Sequence, residues 1–220
     1  MKKAVITGAS RGIGKATAEK FLAEGFEVIG TSTTGAGWEH ERLSWVQLDL
    51  TDSGSIERAA KDIAARGKTD VLIDNAGYLA AVEKDFDDSP VDMKVLRRTL
   101  EVNLIGTIDI TERLLPSLKE GGRIVLLGSQ LGSLTDAEHT SSPAYSISKA
   151  ALGMYARQLA GHVKERGVGV FIVDPGWVRT DMGGLNATRA PEEPAREIYE
   201  LAVSDLPTGR FWREGKERSW

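Results

Sequence analysis

A tyrosine and a lysine one helical turn apart, Tyr145 and Lys149, are the residues of this sequence best suited to proton transfer. The pattern around them is typical of a long helix over residues 144 to about 165, which would place the phenol and the ammonium on one helix face. A free tyrosine has a pKa near about 10, and a nearby cation favours the phenolate. Lys149, together with the cationic ring of a bound cofactor, could therefore lower the pKa of Tyr145 toward neutrality. Such pairs are also common in helices without a catalytic role, so the rest of the sequence has to support this interpretation.

Length, charge and composition exclude several functions. The chain has 220 residues, compatible with a single domain over 1–220, and a net charge of −4 without a basic block, so nucleic acid is not an expected partner. No apolar segment approaches membrane-spanning length, and the apolar run near Met1 is too short for a signal peptide. We therefore expect a cytoplasmic protein without a membrane partner. Cysteine is absent, and His40, His139 and His162 lack metal-ligand spacing, so no catalytic metal is expected.

Short apolar runs alternate along the chain with helical patterns. Because these runs are apolar on successive positions, they suit strands that are buried on both faces of a parallel sheet. They lie at residues 4–6, 26–29, 45–48, 71–73, 124–127 and 168–173. The alternation predicts a doubly wound α/β sheet, which binds ligands beyond the carboxyl ends of its strands.

Several helix boundaries carry recognisable signals. Gly25 and Gly167 are expected to follow the ends of two helices. Ser89 and Pro90 suit the N-cap and the first residue of a long helix that runs through Asn103 to about residue 118. Pro116 is expected to kink or end that helix.

The segment between the first predicted strand and the first predicted helix is rich in glycine. Its spacing, Gly-x-x-x-Gly-x-Gly, allows a tight turn and a close approach of the backbone to a pyrophosphate at the helix N-terminus. A plain glycine-rich turn is the alternative, but the position between strand and helix favours nucleotide binding. The residues predicted to hold the nucleotide here are Gly8, Ser10, Arg11, Gly12, Ile13 and Gly14.

The end of the second predicted strand lacks the acidic residue that usually holds the ribose 2′-hydroxyl of NAD. Ser32 and Thr33 lie there, and no acid occurs before Glu39. Arg11 could instead reach the 2′-phosphate of NADP, with hydroxyl groups from Ser32 or Thr33; the alternative is that Arg11 is merely solvated. This combination predicts NADP(H) in preference to NAD(H).

Taken together, these motifs resemble those of the short-chain dehydrogenase/reductase family over almost the whole chain. The residues that carry the resemblance are Thr7-Gly8-x-x-x-Gly12-x-Gly14, Asp49, Asn75-Ala76-Gly77, Asn103, Ser129, Tyr145-x-x-x-Lys149 and Pro175-Gly176-x-x-x-Thr180. The resemblance implies a Rossmann-type fold, with a mostly seven-stranded parallel sheet and helices on both faces. The loop at residues 176–184 and the ending at 209–212 are similar to a carbonyl-reductase-like subgroup, which includes proteins implicated in signalling.

The resemblance also implies an activity and a role for each motif. The protein would reduce a ketone or aldehyde to an alcohol with NADPH, or catalyse the reverse. Tyr145 would be the general acid, and Lys149 would lower its pKa and bind the nicotinamide ribose. Ser129 would orient the substrate carbonyl, and Asn103 would hold a water that links Lys149 to solvent. The alternative is an NADP-binding signalling or scaffold protein on the same fold, with little turnover.

Further cofactor contacts are expected at the ends of the later strands. Asp49 would accept a hydrogen bond from the adenine amine, and Tyr145 and Lys149 would also touch the cofactor. The remaining predicted contacts are Leu50, Asn75, Ala76, Gly77, Pro175, Gly176, Val178 and Thr180. Apolar helices around residues 91–115 and 150–163 commonly pair between subunits in this family, so a homodimer or homotetramer is expected.

The sequence departs from the family pattern at a few positions. Asp74 stands where the family usually has a second asparagine, and we expect its role to be structural. The interval between Ser129 and Tyr145 is longer than is common, which makes Ser133 an alternative to Ser129 and predicts a loop over the substrate site at residues 136–143. Trp177 is interpreted either as a pocket wall or as a packing residue.

Overall fold

The computed structural model describes residues 1–80, 90–136 and 141–220, and these form one extended sheet covered by helices. The sheet has eight strands in the order β3-β2-β1-β4-β5-β6-β7-β8. Every neighbouring pair is parallel except β7 and β8. The strands are β1 (Lys3–Ile6), β2 (Glu27–Ser32), β3 (Leu43–Gln47), β4 (Thr69–Asp74), β5 (Leu118–Leu127), β6 (Gly169–Val173), β7 (Arg210–Arg213) and β8 (Lys216–Arg218). The predicted Rossmann-type α/β fold is confirmed, with β8 added as an antiparallel edge strand.

Helices cover both faces of the sheet because the strand side chains alternate between them. Val5 of β1 packs into one apolar core with residues from the helices on its side, whereas Ala4 and Ile6 pack into a second core on the other face. The helices are α1 (Gly12–Ala23), α2 (Ser53–Ala65), α3 (Met93–Leu100), α4 (Thr107–Leu114), α5 (Pro143–His162) and α6 (Glu192–Ala202). Among the described residues, none of these helices has the length and apolar character needed to cross a bilayer.

The long helix predicted to begin at Pro90 begins later and is interrupted. Asp92 caps α3, since its Oδ1 accepts from the backbone N–H groups of Lys94 at 2.8 Å and Val95 at 3.3 Å. The prediction of Pro90 as the first residue of the helix was therefore wrong, and Ser89, its predicted N-cap, lies outside the described residues. A π-helical turn, Glu101–Gly106, separates α3 from α4.

The predicted ends of the other helices agree more closely with the structure. Gly25 and Gly167 follow their helices with φ of 86° and 64°, the left-handed conformation that glycine adopts at little cost. Pro116 lies in a short 3-10 turn, Leu115–Ser117, that ends the helix as expected. Strand β5 starts directly afterwards at Leu118, several residues before the apolar run that predicted it.

Gly106, in the π-helical turn, supports a close contact that a larger residue would prevent. The glycine is buried, and a Cβ atom at this position would overlap the carbonyl oxygen of Leu50. We expect Gly106→Ala to lower the free energy of unfolding by about 1–3 kcal/mol, because backbone would have to shift. Urea unfolding followed by circular dichroism measures this change.

Gly161 provides the matched control, since it lies in α5, is exposed, and a Cβ there would have no neighbour within 4 Å. Gly161→Ala should raise the free energy of unfolding by up to about 1 kcal/mol, because alanine has the higher helix propensity. Equal stability of the Gly106→Ala variant and the parent would contradict the close contact with Leu50.

Candidate active site

A cavity of about 960 Å³ opens at the carboxyl ends of the parallel strands. It lies where β1 is flanked by β2 and β4, the position at which the strand order reverses. Every residue that the sequence predicted for cofactor binding or catalysis lines this cavity, with the exception of Asn103. The topology thus brings together motifs that lie as far apart in the chain as Gly8 and Thr180.

The glycine loop is shaped by positions that only glycine fits. Gly8 and Gly12 have φ of 67° and 55°. A Cβ atom at Gly14 would overlap the carbonyl oxygen of Gly8, so this glycine allows the first turn of α1 to pack directly on the loop. The N-terminus of α1 therefore faces the cavity, where its free N–H groups can bind an anionic phosphate.

Asn75 attaches the glycine loop to the end of β4. Its side-chain nitrogen donates to the carbonyl oxygens of Thr7 at 2.8 Å and Gly8 at 3.2 Å. The hydroxyl of Thr7 in turn accepts from the backbone N–H groups of Asn75 and Ala76, both at 3.0 Å. Asn75 thus lines the cavity while its side-chain amide holds the loop in position.

Arg11 lies at the mouth of the cavity and is highly exposed. Its Nε is 3.4 Å from Asp181 Oδ2, and both side chains are 80% accessible. Ser32 and Thr33, at the end of β2, line the same cavity; Ser32 Oγ donates to the carbonyl oxygen of Ala36 at 2.8 Å, and Thr33 is exposed. The guanidinium group is therefore free to reorient toward an anion at this end of the cavity.

Two hydrogen bonds favour the ionised form of Asp49, which lines the same cavity as Arg11. Its Oδ1 accepts from the backbone N–H of Thr51 at 2.9 Å and from the Thr51 hydroxyl at 2.8 Å. These bonds hold the pKa of Asp49 below its usual value. An ionised carboxylate at this position is a suitable acceptor for the adenine amine, its predicted partner.

Lys149 is buried and Tyr145 is half-buried, and the surrounding protein changes their expected electrostatics. The Lys149 Nζ lies 5.5 Å from the centre of the Tyr145 ring and donates to the carbonyl oxygen of Leu127 at 2.7 Å. Burial lowers the pKa of Lys149 to about 8. For Tyr145, burial first and the charge of Asp174 second raise the pKa to about 12, although a hydrogen bond with Ser129 lowers it.

The expected lowering of the Tyr145 pKa is therefore wrong for the protein groups alone. Desolvation disfavours the phenolate, and the lysine amine is turned toward a carbonyl group. With a pKa of about 8, Lys149 is still mostly protonated at neutral pH. Tyr145 accordingly keeps its proton and is suited to act as an acid.

Asn103 lies behind the cavity, within the π-helical turn. Its Nδ2 donates to the carbonyl oxygen of Tyr78 at 2.8 Å and to Ser148 Oγ at 3.1 Å, and its Oδ1 accepts from the Tyr78 N–H at 2.7 Å. These bonds attach the segment after Gly77 to α5. The water that the resemblance implies beside Asn103 stays a prediction.

Ser129 and Ser133 occupy different environments. Ser129 follows β5 and lines the cavity beside Tyr145, whereas Ser133 Oγ donates to the carbonyl oxygen of Ser219 at 3.3 Å and does not line it. The geometry favours Ser129 over the alternative.

Trp177 is 53% exposed and lines the cavity, which agrees with a pocket wall. The predicted loop at 136–143 falls partly outside the described residues, as does His139.

Several cavity residues were not found by sequence reasoning. The main ones are Tyr78, Gln130, Asp174 and Arg213, which follow or end strands of the sheet. Their positions next to recognised motifs are a usable signal, because Tyr78 follows Gly77, Gln130 follows Ser129 and Asp174 precedes Pro175. Arg213 has no such signal, because the strand that carries it was not predicted. Among the described residues, no group of three acidic, histidine or cysteine side chains could hold a metal ion.

Asp74 is a buried carboxyl group with few partners. Its Oδ2 lies 2.8 Å from Thr111 Oγ1, and its Oδ1 has no hydrogen-bond partner among the described residues. The Thr111 hydroxyl is also 2.6 Å from the carbonyl oxygen of Thr107 and has only one proton to donate. A protonated Asp74 satisfies both contacts, because it can donate to Thr111 while Thr111 donates to Thr107. Burial, outweighing the bond to Thr111, raises the pKa of Asp74 to about 7.

Comparison with known proteins agrees with the fold and the cavity. Residues 2–190 match the model of the short chain dehydrogenase family. The 3-oxoacyl-[acyl-carrier-protein] reductase FabG of Salmonella typhimurium is 33% identical over 221 residues, covering 96% of this chain and 84% of the relative. The C-signal protein of Myxococcus xanthus is 33% identical over 172 residues, covering 74% of this chain and 99% of the relative. The structure of NADPH-bound carbonyl reductase from chicken fatty liver superposes with a TM-score of 0.89 at 27% identity, covering 100% of this chain and 94% of the other.

The chain therefore belongs to the short chain dehydrogenase family. It is an oxidoreductase of the class that interconverts CH–OH and carbonyl groups, as the resemblance of its motifs had implied.

The unusual environment of Asp74 should make stability depend on pH. Asp74 binds its proton more tightly in the folded chain, with a pKa of about 7, than in the unfolded chain, where aspartate has a pKa of about 3.9. Its contribution to stability is therefore complete below about pH 4 and is lost as the pH rises through about 7. The loss is at most about 4 kcal/mol.

Asp74→Asn should remove this dependence, because the amide stays neutral at every pH. The difference in unfolding free energy between the variant and the parent should therefore shift in favour of the variant as the pH rises from 5 to 8. Urea unfolding of both proteins at these two pH values measures this shift. A constant difference across this range would show that Asp74 does not hold a proton in the folded state.

Proposed function

We propose that this protein, acting as a single domain over 1–220, is an NADPH-dependent carbonyl reductase that converts a ketone or aldehyde to an alcohol, or catalyses the reverse. The observation that carries the proposal is that Ser129, Tyr145 and Lys149 line one cavity together with the glycine loop. When bound, NADPH supplies the hydride. The cavity has a volume of about 960 Å³, and its lining includes both Arg11 and Tyr145. This volume can hold a dinucleotide together with a small substrate.

The proposed catalytic residues act on the substrate oxygen. Negative charge builds on that oxygen as the carbonyl carbon is reduced, and it requires preorganised donors and a proton. Ser129 Oγ and the Tyr145 hydroxyl are the donors that face the cavity together. Tyr145, with a pKa of about 12, carries the proton at neutral pH and gives it to the developing alkoxide. Lys149, buried beneath the ring, supplies positive charge while the phenolate exists.

The preference for NADP(H) over NAD(H) rests on the chemistry at the other end of the cavity. Arg11 is exposed there, and Ser32 and Thr33 stand where an acidic residue would repel a 2′-phosphate. The NADPH-bound chicken carbonyl reductase, similar over the whole of this chain, supports the same preference. Lys149, Asp49 and the glycine loop would hold the nicotinamide ribose, the adenine and the pyrophosphate.

The second candidate is a signalling or scaffold role on the same fold. It is favoured by the similarity to the C-signal protein, which this chain covers over 99% of its length. Exposed apolar side chains on the π-helical turn and α5, Ile105, Ile147 and Met154, suit the homodimer or homotetramer that either function would use. NADPH oxidation against a panel of ketones and aldehydes discriminates the two functions, because tight NADPH binding without any turnover would favour signalling.

Two substitutions separate acid catalysis from cofactor binding. Tyr145→Phe removes the proton donor but not the ring, so kcat should fall at least about 100-fold while the Kd for NADPH stays within about twofold. Lys149→Ala removes a charged hydrogen-bond donor, so kcat should fall and the Kd for NADPH should rise by about tenfold or more. Steady-state kinetics and fluorescence titration of NADPH measure both. Substantial turnover by Tyr145→Phe would refute its role as the acid.

A substitution at the cavity mouth tests the cofactor preference. Arg11→Gln should raise the Kd for NADPH by about tenfold and leave the Kd for NADH nearly unchanged, because NADH lacks the 2′-phosphate. Lys15→Gln is the matched control, since Lys15 is a nearby cation of α1 that does not line the cavity. An equal effect of Arg11→Gln on the two cofactors would exclude a contact with the 2′-phosphate.

A further inference from the structure

An ion pair on the wall of the cavity that contains the proposed catalytic tyrosine is created by the pairing of two strands. Val173 of β6 lies opposite Trp212 of β7, and the next N–H, that of Asp174, donates to the carbonyl oxygen of Trp212 at 2.8 Å. This register brings Arg213 beside Asp174, where Arg213 Nη1 lies 3.1 Å from Asp174 Oδ2. Asp174 is buried, with 3% accessibility, and both side chains line the cavity.

Each member of the pair also contacts a segment that forms the active site. Asp174 Oδ1 accepts from the backbone N–H of Gly176 at 3.0 Å, which shapes the loop that starts at Pro175. Arg213 Nη1 donates to Gln130 Oε1 at 2.9 Å, and Gln130 directly follows Ser129. One guanidinium group thus connects the carboxyl ends of β5 and β6.

We propose that Arg213 is a positioning residue that shields Tyr145 from the negative charge of Asp174 and holds Gln130, and with it Ser129, in place. Its importance for the reaction rests on the proposed carbonyl reduction, but its effect on the phenol does not. A buried carboxylate near a phenol disfavours the phenolate, and a cation bound to that carboxylate offsets the effect. Neither Asp174 nor Arg213 belongs to the motifs that identified the family.

Other charged groups among the described residues lie near this pair, and one of them, Glu214, also contacts Arg213, with Oε1 3.3 Å from Arg213 Nε. Lys149 approaches Tyr145 from α5 and donates to Leu127. Arg189 donates to the carbonyl oxygen of Pro175 at 2.8 Å and is paired with Glu197, so it does not compete for Asp174. Asp174 lines the same cavity as Tyr145, and its charge contributes, after burial, to the raised pKa of Tyr145.

The test is a direct titration of Tyr145 that needs neither substrate nor cofactor. The chain has four tyrosines, so carbon-13 at the ring ζ position gives few signals, and Tyr145→Phe identifies the one that matters. At a given high pH, Asp174→Asn should increase the ratio of phenolate to phenol at Tyr145 by about tenfold, and Arg213→Gln should decrease it. The double variant should return toward the parent, because the two opposite charges are removed together.

The control is Arg210→Gln, which removes a cation from the same strand whose partner is the exposed Glu217. It should leave the titration of Tyr145 unchanged. An unchanged titration in Asp174→Asn would overturn the proposal, and so would an effect of Arg210→Gln equal to that of Arg213→Gln.

If Arg213→Gln does not fold, Arg213→Lys replaces it. Lysine keeps the charge but offers one nitrogen, so the titration should match the parent while kcat falls. If the parent protein turned over no carbonyl substrate, the proposed function would be refuted, but the result of the Tyr145 titration would still stand.

Discussion

The hydroxyl group of Thr7 joins the two strands between which the site opens. Strand β1 is flanked by β2 and β4, and the cavity opens at this point of the sheet, where the strand order reverses. Thr7 Oγ1 accepts from the N–H groups of both Asn75 and Ala76, and the Asn75 side chain returns two bonds to the glycine loop. The same few bonds satisfy buried backbone groups and fix the distance between the glycine loop and the end of β4. The positions of the proposed cofactor and of Tyr78, and through Tyr78 the anchoring of Asn103, depend on this junction.

Sequence patterns predicted the interior strands well because burial on both faces leaves continuous apolar runs. The runs at residues 71–73 and 124–127 fall within β4 and β5, in the middle of the sheet. Strand β7, Arg210–Arg213, was missed because it is short and has arginine at both ends. The first half of β5 contains Lys119, Glu120 and two glycines, which resemble a turn. In this half Leu118 pairs with Thr69 of β4, and after a shift of register the pairing resumes at Arg123. The π-helical turn has no sequence signature, and the close packing of its Gly106 on Leu50 is a contact between residues far apart in the chain.

The candidate site was predictable where spacing along the chain determines geometry. Gly8, Gly12 and Gly14, and Tyr145 with Lys149, are local motifs whose geometry follows from one turn or one helix. The direction of the Tyr145 pKa was not predictable, because desolvation depends on how much protein surrounds the ring, and the sequence does not report this. The pairing of Asp174 with Arg213 depends on the register of two strands that are far apart in the chain.

Two buried aspartates at the same edge of the sheet illustrate how partners, and not burial alone, determine the state of a side chain. Asp174 is contacted by a guanidinium group and a backbone N–H, which stabilise negative charge. Asp74 has a single hydroxyl partner that must also serve Thr107, so the neutral acid satisfies its surroundings better. Asp74 lies against α4, where it contacts Thr111, and Asp174 lines the cavity with Tyr145. A phenol near a paired carboxylate keeps its proton until negative charge develops on the substrate oxygen. A general acid in carbonyl reduction has to behave in this way.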